Sequence, residues 1–259
     1  MNWFESLVLG LIQGLTEFLP VSSSGHLEIA NAIFGVKPSE SFNFNVAVHG
    51  ATVLSTLLVF RNEILKLIKG TLKFKINEEL EYTVKIFISM IPVGIVALFL
   101  QDFVEGMFKG NLIVTGIEFL ITASLLFMAH FIKPEERNIS YLDSFIIGIA
   151  QAIAVVPAIS RSGATIATGL LLGNRKEEIT KFSFLMVLIP VIGANLLEIT
   201  KGNSVNGGLN ILSLATGFLA AFISGYFACR WMIELVKKSK LIWFAAYCAL
   251  VGLLAIILG

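Results

Sequence analysis

The sequence predicts an all-α, polytopic integral membrane protein: six transmembrane helices plus two re-entrant helical hairpins, arranged as inverted-topology repeats. Three observations predict it. The chain of 259 residues is 56% hydrophobic and 14% charged, with a mean hydropathy of +0.85, which is too apolar for a water-soluble domain. A polar, serine-rich break interrupts an apolar stretch twice and in register: Gly10, Gln13 and Ser24-Gly25 in the first copy match Gly148, Gln151 and Ser162-Gly163 in the second. Lysines and arginines fall almost entirely into alternate loops, the pattern that sets membrane orientation.

The hydrocarbon core of a bilayer takes about 20 helical residues to cross, and windows of that length pick out spans at roughly 42 to 60, 84 to 100, 111 to 132, 182 to 199, 209 to 229 and 241 to 258. The two serine-broken regions do not fit as simple spans. As one helix, Trp3 to Phe34 would be about 48 Å long against a core of about 30 Å. The arm after His26 is too short to cross alone. The same geometry recurs from Tyr141 to Val156 and Ala164 to Leu172. Each region therefore reads as a re-entrant hairpin with its tip near the midplane. Non-helical backbone at that depth must be buried in protein or line a wet cavity, so the two tips should face one site.

One membrane domain, 1–259, is expected to contain repeat one at about 1–132 (hairpin 3–35 plus three spans) and repeat two at about 141–259 (hairpin 141–173 plus three spans). With both hairpins returning to their side of origin, fourteen cations, from Arg61 and Lys66 to Lys238 and Lys240, fall on one side. The other side carries Lys37, Lys109 and Lys201. The rich side is cytoplasmic by the positive-inside rule, which puts both termini outside a cell (plasma) membrane. Met1-Asn2-Trp3-Phe4-Glu5 lacks a basic leader, so the first apolar stretch is expected to stay in the mature chain. A net charge of +1 without a basic, aromatic-interleaved patch gives no reason to expect nucleic acid. Cys229 and Cys248 have no metal-ligand spacing and read as packing residues.

Polar residues inside membrane segments are costly and mark function. The returning helices are expected to start just after Ser24-Gly25 and Ser162-Gly163, aiming free N–H groups and a positive dipole end at an anion. Ser22, Ser23, Ser24, Ser160 and Ser162 add hydroxyl donors. Arg161 supplies a planar fork suited to phosphate, with an ion pair to Glu17 as its structural alternative. Gln13 and Glu17, spaced i to i+4, share a helix face before the first tip. Glu17 suits a base, a partner for His26, or a cation ligand, and His26 suits acid, base or nucleophile. His49 reads first as a helix-packing residue and second as a group lining the site, while Glu118 and Glu198 lie in or near spans and are candidates to face a cavity.

The run Gln13-x-x-x-Glu17-Phe-Leu-Pro-Val-Ser-Ser-Ser-Gly-His26 resembles the first signature of the undecaprenyl-diphosphate phosphatases, also called bacitracin-resistance proteins. Pro157-Ala-Ile-Ser160-Arg161-Ser162-Gly-Ala-Thr165 resembles their second. The resemblance implies hydrolysis of a polyprenyl diphosphate lipid to the monophosphate and inorganic phosphate, recycling the carrier for cell-wall synthesis and conferring bacitracin resistance. It implies catalytic roles for Glu17, His26, Ser23 and Arg161. Substrate binding falls to Gln13, Ser22, Ser24, Ser160, Ser162 and Thr165. A divalent cation, Mg2+ or Ca2+, is implied with Glu17 as its ligand. Two positions depart from the pattern: Ala158 stands where glycine is usual, and Gln13 takes the neutral option. A transporter or flippase of an anionic lipid is the alternative, since inverted hairpins serve that purpose too. The other membrane phosphatase class, whose further histidine would fall at Ala167, does not match. Membrane lipids and a second copy, as a homodimer, complete the expected partners, and the active site is expected to open to the outer side.

Overall fold

The computed structural model describes residues 1–36, 38–100, 111–132, 137–200, 210–238 and 241–259, without the side chains of 38–42, 197–200 and Lys237. Among these residues the structure is helical, apart from an isolated bridge between Arg137 and Asn174. In chain order the helices are α1 (Trp3–Phe18), α2 (Ser23–Phe34), α3 (Pro38–Val59), α4 (Arg61–Thr71), α5 (Glu78–Phe99) and α6 (Leu112–Phe131). There follow α7 (Tyr141–Ile153), α8 (Arg161–Leu171), α9 (Lys176–Thr200), α10 (Ile211–Lys237) and α11 (Leu241–Leu258).

Five described helices, α5, α6, α9, α10 and α11, are long and apolar enough to cross a membrane. The sixth expected span is α3, which continues through a 72° bend into α4. Helix α4 is absent from the sequence expectation because its lysines and glutamate keep it below the hydropathy of a span. Exposed Ile95, Ile121, Phe227 and Leu253 give the spans an apolar outer surface, as lipid contact requires. The protein is thus an all-α, multi-pass membrane protein with two short broken helix pairs, α1/α2 and α7/α8.

Both hairpins begin with the same device in the same register. Asn2 caps α1 and Glu5 bonds back to the Asn2 N–H; Ser140 caps α7 and Asp143 bonds back to the Ser140 N–H. Each capping box satisfies orphan donors at a helix start. One residue on, the Ser6 hydroxyl donates to the Asn2 carbonyl at 2.9 Å and that of Ser144 to the Ser140 carbonyl at 2.8 Å.

The hairpins pack reciprocally. Helix α1 lies along α10 in the second half of the chain, α7 lies along α5 in the first, and α6 pairs with α11. The matched glycines explain the closeness. A Cβ on Gly10 would sit 2.3 Å from the Gly217 carbonyl oxygen, and one on Gly148 would sit 2.3 Å from that of Ser89. Without a hydrophobic force between helices in lipid, such close approach supplies the packing. Gly148→Ala should push α7 off α5 at a cost of about 1–3 kcal/mol. A lowered thermal midpoint in detergent is the expected result, and an unchanged midpoint contradicts this packing account.

The bundle has two distinct ends. At one, Glu63, Lys66, Arg175, Glu178 and Lys181 surround a cavity of about 380 Å³, and Arg137 pairs with Asp143 at the start of α7. At the other, the Ser213 hydroxyl donates to the Met1 carbonyl at 3.3 Å and Gly259 abuts Leu112. Both termini therefore share the end from which α1 departs, and α7 departs from the charged end. The hairpins run inward from opposite ends, and their tips meet. Lys37, Lys109 and Lys201, the cations expected on the terminal side, lie outside the described residues, as do Lys133 and Lys240.

Candidate active site

The tips are polar loops on an aromatic floor. Phe18 meets Phe184 edge-on at 5.6 Å, and Phe184 meets Phe60 at 6.1 Å, within a buried cluster that includes Phe119 and Phe182. Such a packed floor fixes the loops above it.

The returning helices start earlier than expected. Ser22 caps α2 and Ser160 caps α8, so Ser24-Gly25 and Ser162-Gly163 lie inside the first turns. The Gly25 N–H donates to Ser22 Oγ at 3.2 Å and the Gly163 N–H to Ser160 Oγ at 3.0 Å. A serine ahead of its glycine can take an orphan N–H of the first turn, which explains the correction. Ser24 and Ser162 then clasp the opposite tips. The Ala158 N–H donates to Ser24 Oγ at 3.3 Å, and the Ser162 hydroxyl donates to the Leu19 carbonyl at 3.2 Å.

Two non-glycine residues in the tips have left-handed backbone: Ser22 at φ 66° and Ala158 at φ 56°. That conformation costs about 1–2 kcal/mol for a residue with a Cβ, and a packed site sustains it. Ala158, fully buried, therefore occupies a position that suits glycine, as the departure from the family pattern implies. Gly25 allows the tips to meet, since a Cβ there would lie 2.6 Å from the Phe119 ring and 3.0 Å from the Ala158 methyl.

Glu17 is the hub. Its Oε2 accepts from Ser23 Oγ at 2.5 Å and from Gln13 Nε2 at 2.9 Å. Its Oε1 accepts from the Arg161 guanidinium at 3.2 Å. His49 Nε2 stands 3.8 Å from Oε2. The structure thus joins Gln13, Glu17 and Ser23 of one hairpin to Arg161 of the other. Glu17, Ser23 and Arg161 border a small cleft of about 40 Å³, walled also by Thr52, Thr56, Ser183, Phe184, Val187 and Val191. That volume holds about one water.

His26 and Thr165 lie apart from this hub. His26 Nδ1–H donates to the Ser22 carbonyl at 2.6 Å, and its Nε2 accepts from the Tyr247 hydroxyl at 2.7 Å. Its ring also meets Phe119 edge-on at 5.1 Å. With Nδ1 held by the Ser22 carbonyl and Nε2 by Tyr247 of α11, the ring lies against the strained Ser22 backbone and does not border the cleft. The Thr165 hydroxyl bonds beneath the tip to the Arg161 carbonyl at 2.8 Å and to the Ser183 hydroxyl at 2.6 Å.

Sequence reasoning gave His49 first as a helix-packing residue and passed over Thr52, Thr56 and Ser183, which border the cleft. For Thr52 and Thr56 the signal was the spacing 49, 52, 56, one face of α3. It also passed over Glu28, whose carboxylate accepts from Thr115 at 2.7 Å between α2 and α6, while Glu118 is 5% exposed nearby. The Glu198 side chain lies outside the described residues.

The donor set tests the implied cation. Among the described residues no three His, Cys, Asp or Glu side chains converge. Glu17 is the one carboxylate bordering the cleft, and Arg161 already faces it. Mg2+ and Ca2+ take six or more oxygens, so these residues do not fit a resident ion held by protein alone.

The repeats agree where hydrogen bonds hold the tips and differ where charge gathers. Ser22 and Ser160 cap; Ser24 and Ser162 clasp. Arg161 stands in register with Ser23, Val155 with Glu17 and Ala164 with His26. Gln151, the counterpart of Gln13, is buried, and neither side-chain polar atom has a hydrogen-bond partner. Val155 removes the acceptor that Glu17 gives to Gln13.

The chain resembles known proteins over nearly its whole length. The family model for the bacitracin resistance protein BacA matches residues 6–254. An undecaprenyl-diphosphatase of Parabacteroides distasonis is 54% identical over 260 residues, covering 99% of this chain and 98% of that protein. One of Carboxydothermus hydrogenoformans is 39% identical, covering 100% and 98%. Undecaprenyl-diphosphatase 1 of Bacillus cereus is 36% identical, covering 97% and 96%. With two broken helix pairs meeting tip to tip and a family match across nearly its whole length, the chain belongs to the bacitracin resistance protein BacA family.

Proposed function

We propose that this protein hydrolyses undecaprenyl diphosphate, or a similar polyprenyl diphosphate, to the monophosphate and inorganic phosphate. That activity recycles the lipid carrier for wall synthesis and withstands bacitracin. The observation that carries the reading is the hydrogen-bonded set Ser23–Glu17–Arg161 across the two tips, which joins a candidate nucleophile, a base and a phosphate-binding cation.

The chemistry follows from the geometry. Ser23 Oγ, or a water in its place, attacks the terminal phosphorus while Glu17 Oε2 takes the proton. Arg161 leaves Glu17 to hold the phosphoryl oxygens, neutralising charge as the bond to the lipid monophosphate breaks. Attack by Ser23 gives a phosphoserine that water hydrolyses, and attack by water releases phosphate directly. The free N–H groups that open α2 and α8 add donors on either side. A divalent cation, Mg2+ or Ca2+, would enter with the diphosphate as part of the substrate, where it would offset the charge of the phosphate oxygens. Loading brings phosphate oxygens to Arg161 in place of Glu17.

The two halves, about 1–132 and 141–259, form inverted repeats in the cell membrane. The charged end faces the cytoplasm and the termini lie outside, with access to the site from the outer side. Purified protein in detergent should release phosphate from a polyprenyl diphosphate with no second compartment present. Binding without release would favour the transporter or flippase reading.

A further inference from the structure

Glu17 faces a difficulty when substrate binds. Arg161 is the cation paired with it at 3.2 Å, and moving that guanidinium onto phosphate leaves a carboxylate, 12% exposed, without its counter-charge. A buried carboxylate stripped of its partner is strongly disfavoured.

A replacement stands on α3. His49 gives its Nδ1–H to the Asn45 carbonyl at 2.8 Å, which fixes the ring and turns Nε2 towards Glu17 Oε2, 3.8 Å away. That gap is about 1 Å beyond a hydrogen bond, and such contacts tighten on substrate binding. Thr52 and Thr56, on the same face of α3, border the cleft itself. With Nδ1–H committed to a carbonyl, Nε2 approaches Glu17 as the second N–H of an imidazolium, whose positive charge takes the place of the guanidinium. Among the described side chains, the charged groups around His49 are Glu17 from α1 and, beyond it, Arg161 from α8. Ser183 and Phe184 of α9 also border the cleft, and α10 offers the Phe222 carbonyl, bonded to Ser55.

We propose that His49 is a positioning residue for Glu17: as Arg161 turns to the substrate phosphate, Nε2 closes on Oε2 and holds the carboxylate aimed at Ser23 or the attacking water. The inference rests on the phosphatase reading and acts through Glu17, without contact to the substrate.

Two substitutions in the full-length protein test it by phosphate release from a polyprenyl diphosphate in detergent. His49→Leu removes the donor and should lower kcat about 100-fold, the scale of a catalytic group misplaced by about 1 Å. KM should stay within about threefold, because binding energy is untouched. His49→Gln places an amide N–H near the same point and should recover kcat to within about tenfold of wild type. A merely structural role predicts loss in both variants, so equal impairment overturns the proposal, as does wild-type kcat in His49→Leu. Absence of phosphate release by the wild type itself would overturn the phosphatase reading instead.

Discussion

Replacing Arg161 by alanine is expected to lower kcat for phosphate release by about a thousand-fold or more, the scale on which an arginine stabilises phosphoryl transfer. Arg161 is the one residue of the second hairpin that reaches Glu17, at 3.2 Å, and it occupies the position where the first hairpin has Ser23. The chain should still insert and fold, since the Ser160 cap, the Ser162 clasp and the Gly148 contact with Ser89 do not depend on the guanidinium. Arg161→Lys keeps the charge and loses the fork, so its rate should fall between alanine and wild type. Initial rates on folded, detergent-purified variants check this series. A near-normal rate in Arg161→Ala removes the phosphate-binding role.

Glu17→Gln carries the second large effect, a loss of about a hundred- to ten-thousand-fold in kcat, the range ascribed to a positioned general base. Glutamine is nearly isosteric, and its carbonyl oxygen can still accept from Ser23 or Gln13, so the tip should keep its shape. It cannot take the proton of Ser23, whose hydroxyl donates to Glu17 Oε2 at 2.5 Å. The loss should therefore appear in kcat with little change in KM. A kcat within threefold of wild type would show that Glu17 only anchors Arg161.

The hairpins were legible in the sequence because burying polar groups in an apolar chain is expensive, and Ser22 to His26 and Ser160 to Thr165 do so twice in register. The meeting of Glu17 with Arg161 stood in the sequence only as the alternative to phosphate binding by Arg161, because both charges fall in apolar segments and composition does not say which partner the guanidinium takes. The helix starts were not. In Ser22-Ser23-Ser24 spacing alone does not say which serine caps, and only the backbone shows Ser22 taking the Gly25 N–H. The matching capping boxes at Asn2 and Ser140 went unread because their residues differ while their hydrogen bonds agree. The aim of His49 was hidden for another reason. The rotation of α3 decides whether that face meets lipid, helix or cleft, and tertiary packing against α9 and α10 sets that rotation. The same limit applies to His26, which stands beside three serines in sequence and turns to Tyr247 in space.

Agreement between the repeats therefore marks architecture, and divergence marks chemistry. Adjacent serines on one loop separate the two most directly: Ser23 bonds to Glu17, while Ser24 bonds to the Ala158 N–H of the opposite tip. The deciding measurement is kcat for phosphate release by Ser23→Ala and Ser24→Ala, each purified in detergent and matched for folded content. The account predicts a loss of about a hundred-fold or more in Ser23→Ala, the scale of a lost catalytic group, and a kcat within about tenfold of wild type in Ser24→Ala, the scale of one neutral hydrogen bond. The reverse order, with Ser24 indispensable and Ser23 replaceable, would contradict it.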